Sequence, residues 1–213
     1  MKYIRKFENS QFSEMRIKNF SHAAVDKAAK RRELGIPDDA VLLLSVGELN
    51  NNKNHETVIR AIANMDVYYI IAGNGDLREH LEHIIATLGL VDRVKLLGFR
   101  SDVKDLYETA DIFVFPSFRE GLPMALMEAM ASGLPCVVSK IRGNIDLIED
   151  GVNGFYCNPF DANSIAEKIH LIQNNKILSE HFSESSKEKI KLFDISNIVQ
   201  IVQETYQDIL FKK

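Results

Sequence analysis

From Ala40 onward, short apolar and largely β-branched runs alternate with longer stretches whose apolar residues recur at helical spacing, and this alternation constrains the fold of the 213-residue chain more than any other feature. It is the signature of βαβ units and of a parallel sheet covered on both faces. The predicted strands are VLLLSVG (41–47), VYYIIAG (67–73), VKLLG (94–98), DIFVFP (111–116) and PCVVS (135–139), with a sixth at GFYCN (154–158). Between them, His55 to Met65 carries Val58, Ile59, Ile62 and Met65 on one face. Leu77 to Leu88 aligns Leu81, Ile84, Ile85 and Leu88 and stops at Gly89, the expected residue just past a helix. Leu122 to Ala131 is followed by Ser132-Gly133. The expected fold class is therefore α/β, a doubly wound Rossmann-like parallel sheet of about six strands with helices on both faces.

The ends read differently from the middle. Residues 12–32 have a helical pattern with a patchy apolar face, and LGIPDDA (34–40) reads as a turn into the first strand. Ile195, Ile198, Val202, Tyr206 and Ile209 recur at steps of three or four and predict an amphipathic terminal helix. Three parts are expected: a basic helical extension or linker over 1–39, the sheet domain over 40–192 and the terminal helix over 193–213. Residues 1–32 hold nine Lys or Arg against Glu8, Glu14 and Asp26, a net +6 that leaves −10 on the remainder of a chain whose total is −4. Such a basic stretch could touch an anionic membrane surface or a phosphate-bearing acceptor, but a run of this kind is more often simply solvated. Cys136 and Cys157 lie in apolar strand contexts, far from any metal-binding partner, and read as buried thiols of a reducing compartment. No segment has the run of about 18 apolar residues a membrane helix needs, and MKYIRKFENS lacks the apolar stretch of a signal peptide. A cytoplasmic location is expected, including the inner face of the membrane, with no nucleic-acid partner.

In an open parallel sheet, ligands bind beyond the carboxyl ends of the strands, so the loops there carry the chemistry. In VGELNNNKNHE, Gly47 ends a strand and Lys53 sits just before a helix. A helix start with a Lys can make an anion site, but on the residues of this loop alone an Asn-rich turn with a solvated Lys is the favoured reading. AGNGDLREH lacks the third glycine of a dinucleotide fingerprint, so Gly73 and Gly75 answer to backbone geometry, by positive φ or close approach. Gly98 and Phe99 end the third strand, where they present backbone to a base or merely precede a helix begun by Ser101 or Asp102. The richest loop is PSFREG with the helix after it. Glu120 stands at its tip, and Glu128 is the only charge between Leu122 and Ala131. A helix apolar nearly all round is an interior helix, and a carboxylate on it needs hydrogen-bond donors, for which vicinal sugar hydroxyls are well suited.

These residues together resemble the retaining glycosyltransferases of family 4, whose nucleotide-binding domain carries a Glu, seven residues and a second Glu, then A-M-A-x-G-x-P. The resemblance covers about residues 40–175 and includes Val46-Gly47 with Lys53, Ile71-Ala72-Gly73-Asn74-Gly75, Leu97-Gly98-Phe99, Pro116-Ser117, Glu120-Gly121 and Asp150-Gly151 to Gly154. It implies one half of a GT-B fold, in which two Rossmann-like domains face a cleft and the second holds the nucleotide-sugar donor. It further implies that Lys53, beside Gly47, holds the donor diphosphate. Glu120 with the backbone of Gly121, Leu122 and Pro123 would contact the transferred sugar, Glu128 the ribose hydroxyls, and the backbone of Gly98, Phe99 and Arg100 the base. Glu120 and Lys53 are the candidate catalytic residues, with Glu120 positioning the sugar and not assigned as a nucleophile. The donor expected is a UDP-sugar, bound without a metal or other cofactor, its charge met by Lys53 and a helix start.

Two departures stand out. Many members have Arg directly after the first glycine, where this chain has Glu48; the acid is expected to point away, and Arg119 or Arg142 are the alternatives for the lost charge. SKIRGNIDLIEDG resembles bacterial surface-polysaccharide members, which implies a hexose passed to a polysaccharide, capsule or glycolipid acceptor. Members run to about twice this length, so the acceptor-binding domain is expected to be missing, with activity lost unless a partner supplies it. The competing reading is a non-catalytic nucleotide-sugar-binding or assembly subunit of a split enzyme. An epimerase or phosphorylase would need an acid/base set, and His22, His55, His80, His83, His170 and His181 lie mostly on helical stretches.

Overall fold

The computed structural model describes residues 25–193; the basic segment before them and the predicted terminal helix from Ile195 onward lie outside the described residues. The element order is α1 (Lys27–Leu34), β1 (Leu42–Val46), α2 (His55–Ala61), β2 (Tyr68–Ala72), α3 (Arg78–Thr87), β3 (Val94–Gly98) and α4 (Val103–Thr109). Then follow β4 (Ile112–Phe115), α5 (Met124–Ala131), β5 (Cys136–Ser139), α6 (Asn144–Leu147), β6 (Gly154–Cys157), α7 (Ala162–Gln173) and α8 (Lys176–Ile190), closed by a 3-10 turn (Lys191–Phe193). All six predicted strands form, each within a residue or two of its expected ends.

They make one six-stranded sheet in the order β3-β2-β1-β4-β5-β6, and every pairing is parallel. Side chains of a strand alternate between its faces, which is why the strands are apolar throughout. Leu42, Leu44, Phe113, Phe115, Cys136 and Val138 enter one core, beneath Leu106 and Tyr107 of α4 and Leu126 and Met130 of α5. Leu43, Tyr69, Ile71, Ile112, Val114 and Val137 enter the other, beneath α2 (Val58, Ile59), α3 (Leu81, Ile84) and α7 (Ile165, Ile169). Each fully buried Leu, Ile or Val contributes about 1.5–3 kcal/mol. The sheet is thus doubly wound, as the alternation predicts. Cys136 and Cys157 are buried free thiols inside it, with burial pushing the Cys157 thiol up to about 12.

Three findings differ from the sequence reading. The helix from His55 stops at Ala61 and continues to Met65 as turns, with Ile62 still buried. The helix expected from Leu122 starts at Met124, because Pro123, which has no N–H to leave unpaired, stands at its N-cap. The packing also does not divide at residues 39–40. Asp26 caps α1 by accepting from Ala29 N at 3.0 Å, and Gly35 ends it in the left-handed conformation. Leu34 and Ile36 are buried in the same core as Leu42. Arg31, only 7% exposed, pairs with Asp111 at 2.7 Å and donates to the carbonyls of Pro37, Asp38 and Ala40. Lys30 pairs with Glu33 and Asp102. Arg31 and Lys30 are thus engaged within the fold; besides the local Glu33, their acids Asp102 and Asp111 lie some 70 to 80 positions along the chain, beyond the reach of local pattern.

Among the described residues, no helix is long and apolar enough to cross a membrane.

Candidate functional site

β1 and β4 are neighbours in the sheet, yet the helices that follow them cover opposite faces, α2 one core and α5 the other. Their loops therefore diverge at the carboxyl edge and leave a crevice, the topological switch point of the fold. Lys53 comes from the first loop and Glu120 from the second. Lys53 Nζ lies 2.7 Å from Glu120 Oε1, with the two side chains 19% and 10% exposed. The ammonium also sits over the Phe115 ring at 4.8 Å. Of the two readings of NNKNHE, the solvated lysine is the one the structure excludes.

The asparagines around Lys53 hold the loops together. Asn50 Oδ1 accepts from Lys53 N at 3.1 Å. Asn52 donates to the Arg119 carbonyl at 2.8 Å and accepts from Phe118 N at 2.9 Å. Asn54, buried and left-handed at φ 58, donates to the Pro116 carbonyl at 3.2 Å and the Pro159 carbonyl at 2.7 Å. Asn tolerates that conformation better than most residues. One short segment thus fastens the β1, β4 and β6 loops to one another, and Phe118 stacks on Phe160 at 4.9 Å across the same junction. His55, buried beside it, places Nε2 3.2 Å from the Glu48 carbonyl. Burial lowers its pKa to about 4, so the ring is neutral near pH 7 and the contact assigns the proton to Nε2. The Glu48 carboxylate itself is exposed and takes Asn50 Nδ2 at 2.8 Å.

Close backbone approach explains the Gly-Asn-Gly turn. A Cβ on Gly73 would stand 1.9 Å from the Gly47 carbonyl oxygen, and one on Gly75 2.4 Å from that of Leu49. Gly121 is the opposite case. A Cβ there would meet nothing within 4 Å, and the residue is exposed, so the fold alone does not ask for glycine. Beside Gly121, Leu122 is 58% exposed while Pro123 is buried. Gly143, after β5, lets its loop approach, since a Cβ would lie 2.6 Å from the Gly121 carbonyl oxygen.

Glu128, one turn into α5, is half-buried among buried Leu126, Met127, Ala129 and Met130. The partner that its setting requires is Tyr107 of α4, whose Oη lies 3.0 Å from Glu128 Oε2 and 3.0 Å from the Ala125 carbonyl. Burial raises the Glu128 pKa, and the tyrosine hydrogen bond opposes the rise. At the end of β3, Gly98 has φ 71 and Phe99 is 81% exposed. The Arg100 guanidinium turns back to Asp102, at 2.7 Å from Oδ1, and to Glu33 at 2.8 Å, holding Asp102 well below the usual carboxylate range. Asp102 precedes α4 without a side-chain cap, because its carboxylate is engaged with Arg100 and Lys30. The Arg100 side chain is thus committed to carboxylates, while the Phe99 ring stands exposed at the strand end.

The structure brings Lys53, Glu120 and Gly47 together: a Cβ on Gly47 would touch the Lys53 stem at 3.2 Å. Asn52, Asn54, His55 and Tyr107 were missed as site residues. The asparagines had a signal in their repetition, whereas Tyr107 had none.

The profile of the family described as "Glycosyl transferases group 1" matches residues 26–189. The alpha-1,4-N-acetyl-D-galactosaminyltransferase of Campylobacter jejuni is 34% identical over 74% of this chain and 45% of its own length. The UDP-Gal:alpha-D-GlcNAc-diphosphoundecaprenol alpha-1,3-galactosyltransferase of Escherichia coli is 29% identical over 92% of this chain and 53% of its own. Among solved structures, HepE of Anabaena in complex with UDP and glucose superposes with a TM-score of 0.82 at 26% identity, over 91% of this chain and 55% of that one. The chain spans about half the length of the relatives it matches, and its sheet corresponds to one half of the two-domain GT-B architecture. With a matching profile over most of its length and the crevice where a doubly wound sheet places one, this chain belongs to the group 1 glycosyltransferases.

Proposed function

We propose that this chain is the donor-binding half of a retaining glycosyltransferase that takes a UDP-sugar and passes a hexose-type sugar to a polysaccharide or glycolipid acceptor, held by an acceptor-binding half outside these residues. The observation that carries the reading is the meeting of Lys53 and Glu120 at the switch point between β1 and β4. A cation there suits a diphosphate, and a shielded carboxylate suits sugar hydroxyls. Support for UDP comes from HepE, solved with UDP and glucose, and from the Escherichia coli relative, named for UDP-Gal.

In this reading, Lys53 takes the diphosphate charge without a metal, and the backbone at Gly47 allows the phosphates close approach. Glu120 and the backbone of Gly121, Leu122 and Pro123 receive the sugar. The open space around Gly121 supports that role, because a ligand and not the fold is then what excludes a side chain. Glu128 accepts from ribose hydroxyls, and the backbone of Gly98, Phe99 and Arg100 meets the base. Transfer is expected only when the acceptor-binding half is present.

Isothermal titration calorimetry of the chain with UDP, ADP, GDP and UDP-sugars tests the assignment. UDP is expected to bind, and Glu128→Ala to weaken it by about 1–3 kcal/mol, the cost of losing charge-assisted hydrogen bonds. Heat of binding from none of these nucleotides would remove the reading.

A further inference from the structure

Before any donor arrives, the two charges of the crevice already neutralise each other. Lys53 Nζ is 2.7 Å from Glu120 Oε1, and both side chains are largely shielded from water. We propose that Glu120 acts as an internal counter-ion that competes with the donor's diphosphate for Lys53, so that the site favours an intact nucleotide-sugar over the nucleoside diphosphate left after transfer. This rests on the donor-site reading above and adds a discrimination to it.

The loops leave little room for compromise. Asn52 binds the Arg119 carbonyl and the Phe118 N–H, the residues immediately before Glu120, while Asn50 fixes the Lys53 N–H. The backbones carrying the two charges are thereby fastened to each other, and the pair yields by side-chain rotation and not by spreading of the loops. Among the described residues, Lys53 is the side chain that donates to the Glu120 carboxylate. If Lys53 swings to a phosphate, that carboxylate, 10% exposed in the paired state, is left without its cation, which is costly. A sugar on the diphosphate brings hydroxyl donors that replace the lost partner. UDP alone brings none to that position.

Two consequences follow from linkage. The affinity of a ligand for a state that must first be released is reduced by the fraction released, so a Lys53 free of Glu120 in about one molecule in ten weakens UDP about tenfold. The diphosphate and sugar contacts also become cooperative, because each relieves the other's cost. Once the sugar has left, Glu120 recaptures Lys53 and the spent nucleotide is loosened, which favours product release.

Calorimetry on the full chain decides it, using UDP and whichever of UDP-glucose, UDP-galactose and UDP-N-acetylglucosamine binds most tightly. The wild type is expected to prefer the nucleotide-sugar to UDP. In Glu120→Gln, UDP is expected to bind on the order of tenfold tighter, while the nucleotide-sugar gains nothing, so the preference collapses. Glu120→Ala should shift UDP in the same direction and guards against a new contact from the amide. Equal wild-type affinity for UDP and the nucleotide-sugar overturns the counter-ion, without any variant. Unchanged or weaker UDP binding in both variants overturns it as well. Both of those results leave the donor-site reading standing, whereas absence of nucleotide binding in every form removes the two together.

Discussion

On α5, Glu128 stands among buried Leu126, Met127, Ala129 and Met130 with Tyr107 as its hydrogen-bond partner. Burial raises its pKa in the folded chain, so the unfolded chain releases the proton first. The stability that neutral Glu128 contributes is complete below the ordinary carboxylate range and is lost as pH rises through the folded value. Above the ordinary carboxylate range its burial therefore costs the unliganded fold stability. Glu128→Gln is expected to raise Tm by a few degrees at about pH 7, with the gain shrinking towards about pH 4, while nucleotide binding weakens. Thermal melts of wild type and variant at each pH check this, and the comparison cancels the titration of His55, which burial holds down to about 4. A lower Tm for the variant at pH 7 would contradict the account. That Glu128 needed a partner was legible, because no other charge shares its helix. That Tyr107 supplies one was not, since a residue 21 positions upstream meets it only through the packing of α4 on α5.

The strands were the most legible elements, because burial on both faces makes each a continuous apolar run that polar loops bound sharply. The loops were legible as places and not as structures. NNKN shows an unusual composition, but only the fold shows that Asn54 reaches Pro116 and Pro159 at once. Hydrogen bonds between loops join residues about 60 to 105 positions apart, and no spacing rule carries that distance. Asn54→Ala removes the donor from both carbonyls and puts alanine in a left-handed conformation. A loss of about 1–3 kcal/mol is expected, read by urea unfolding, together with weaker UDP binding because the crevice walls are no longer fastened. A variant that matches the wild type in both measurements would show the staple to be dispensable.

For the molecule as a whole, α1 extends the folded body back from the first strand. Its basic composition suggested an appendage, since Arg31 and Lys30 cannot be seen in sequence to face Asp111 and Asp102. Removing residues 1–39 uncovers the core beside Leu42 and strips Asp111 of its guanidinium. Loss of buried Leu34 and Ile36 alone is expected to cost about 1.5–3 kcal/mol each, and calorimetric melting should show a clearly lowered Tm. An unchanged melting temperature would restore the division at residue 40. The strand order holds one further consequence. β1-β2-β3 and β4-β5-β6 are each built from strands consecutive in sequence, and only the β1–β4 ladder joins residues as far as 69 positions apart. A chain with just one of these halves formed owns either Lys53 or Glu120 in place, never both. On the proposed donor-site reading, recognition is therefore withheld until the longest closure in the sheet is complete, and a nucleotide bound there would reward the finished topology over every partial one.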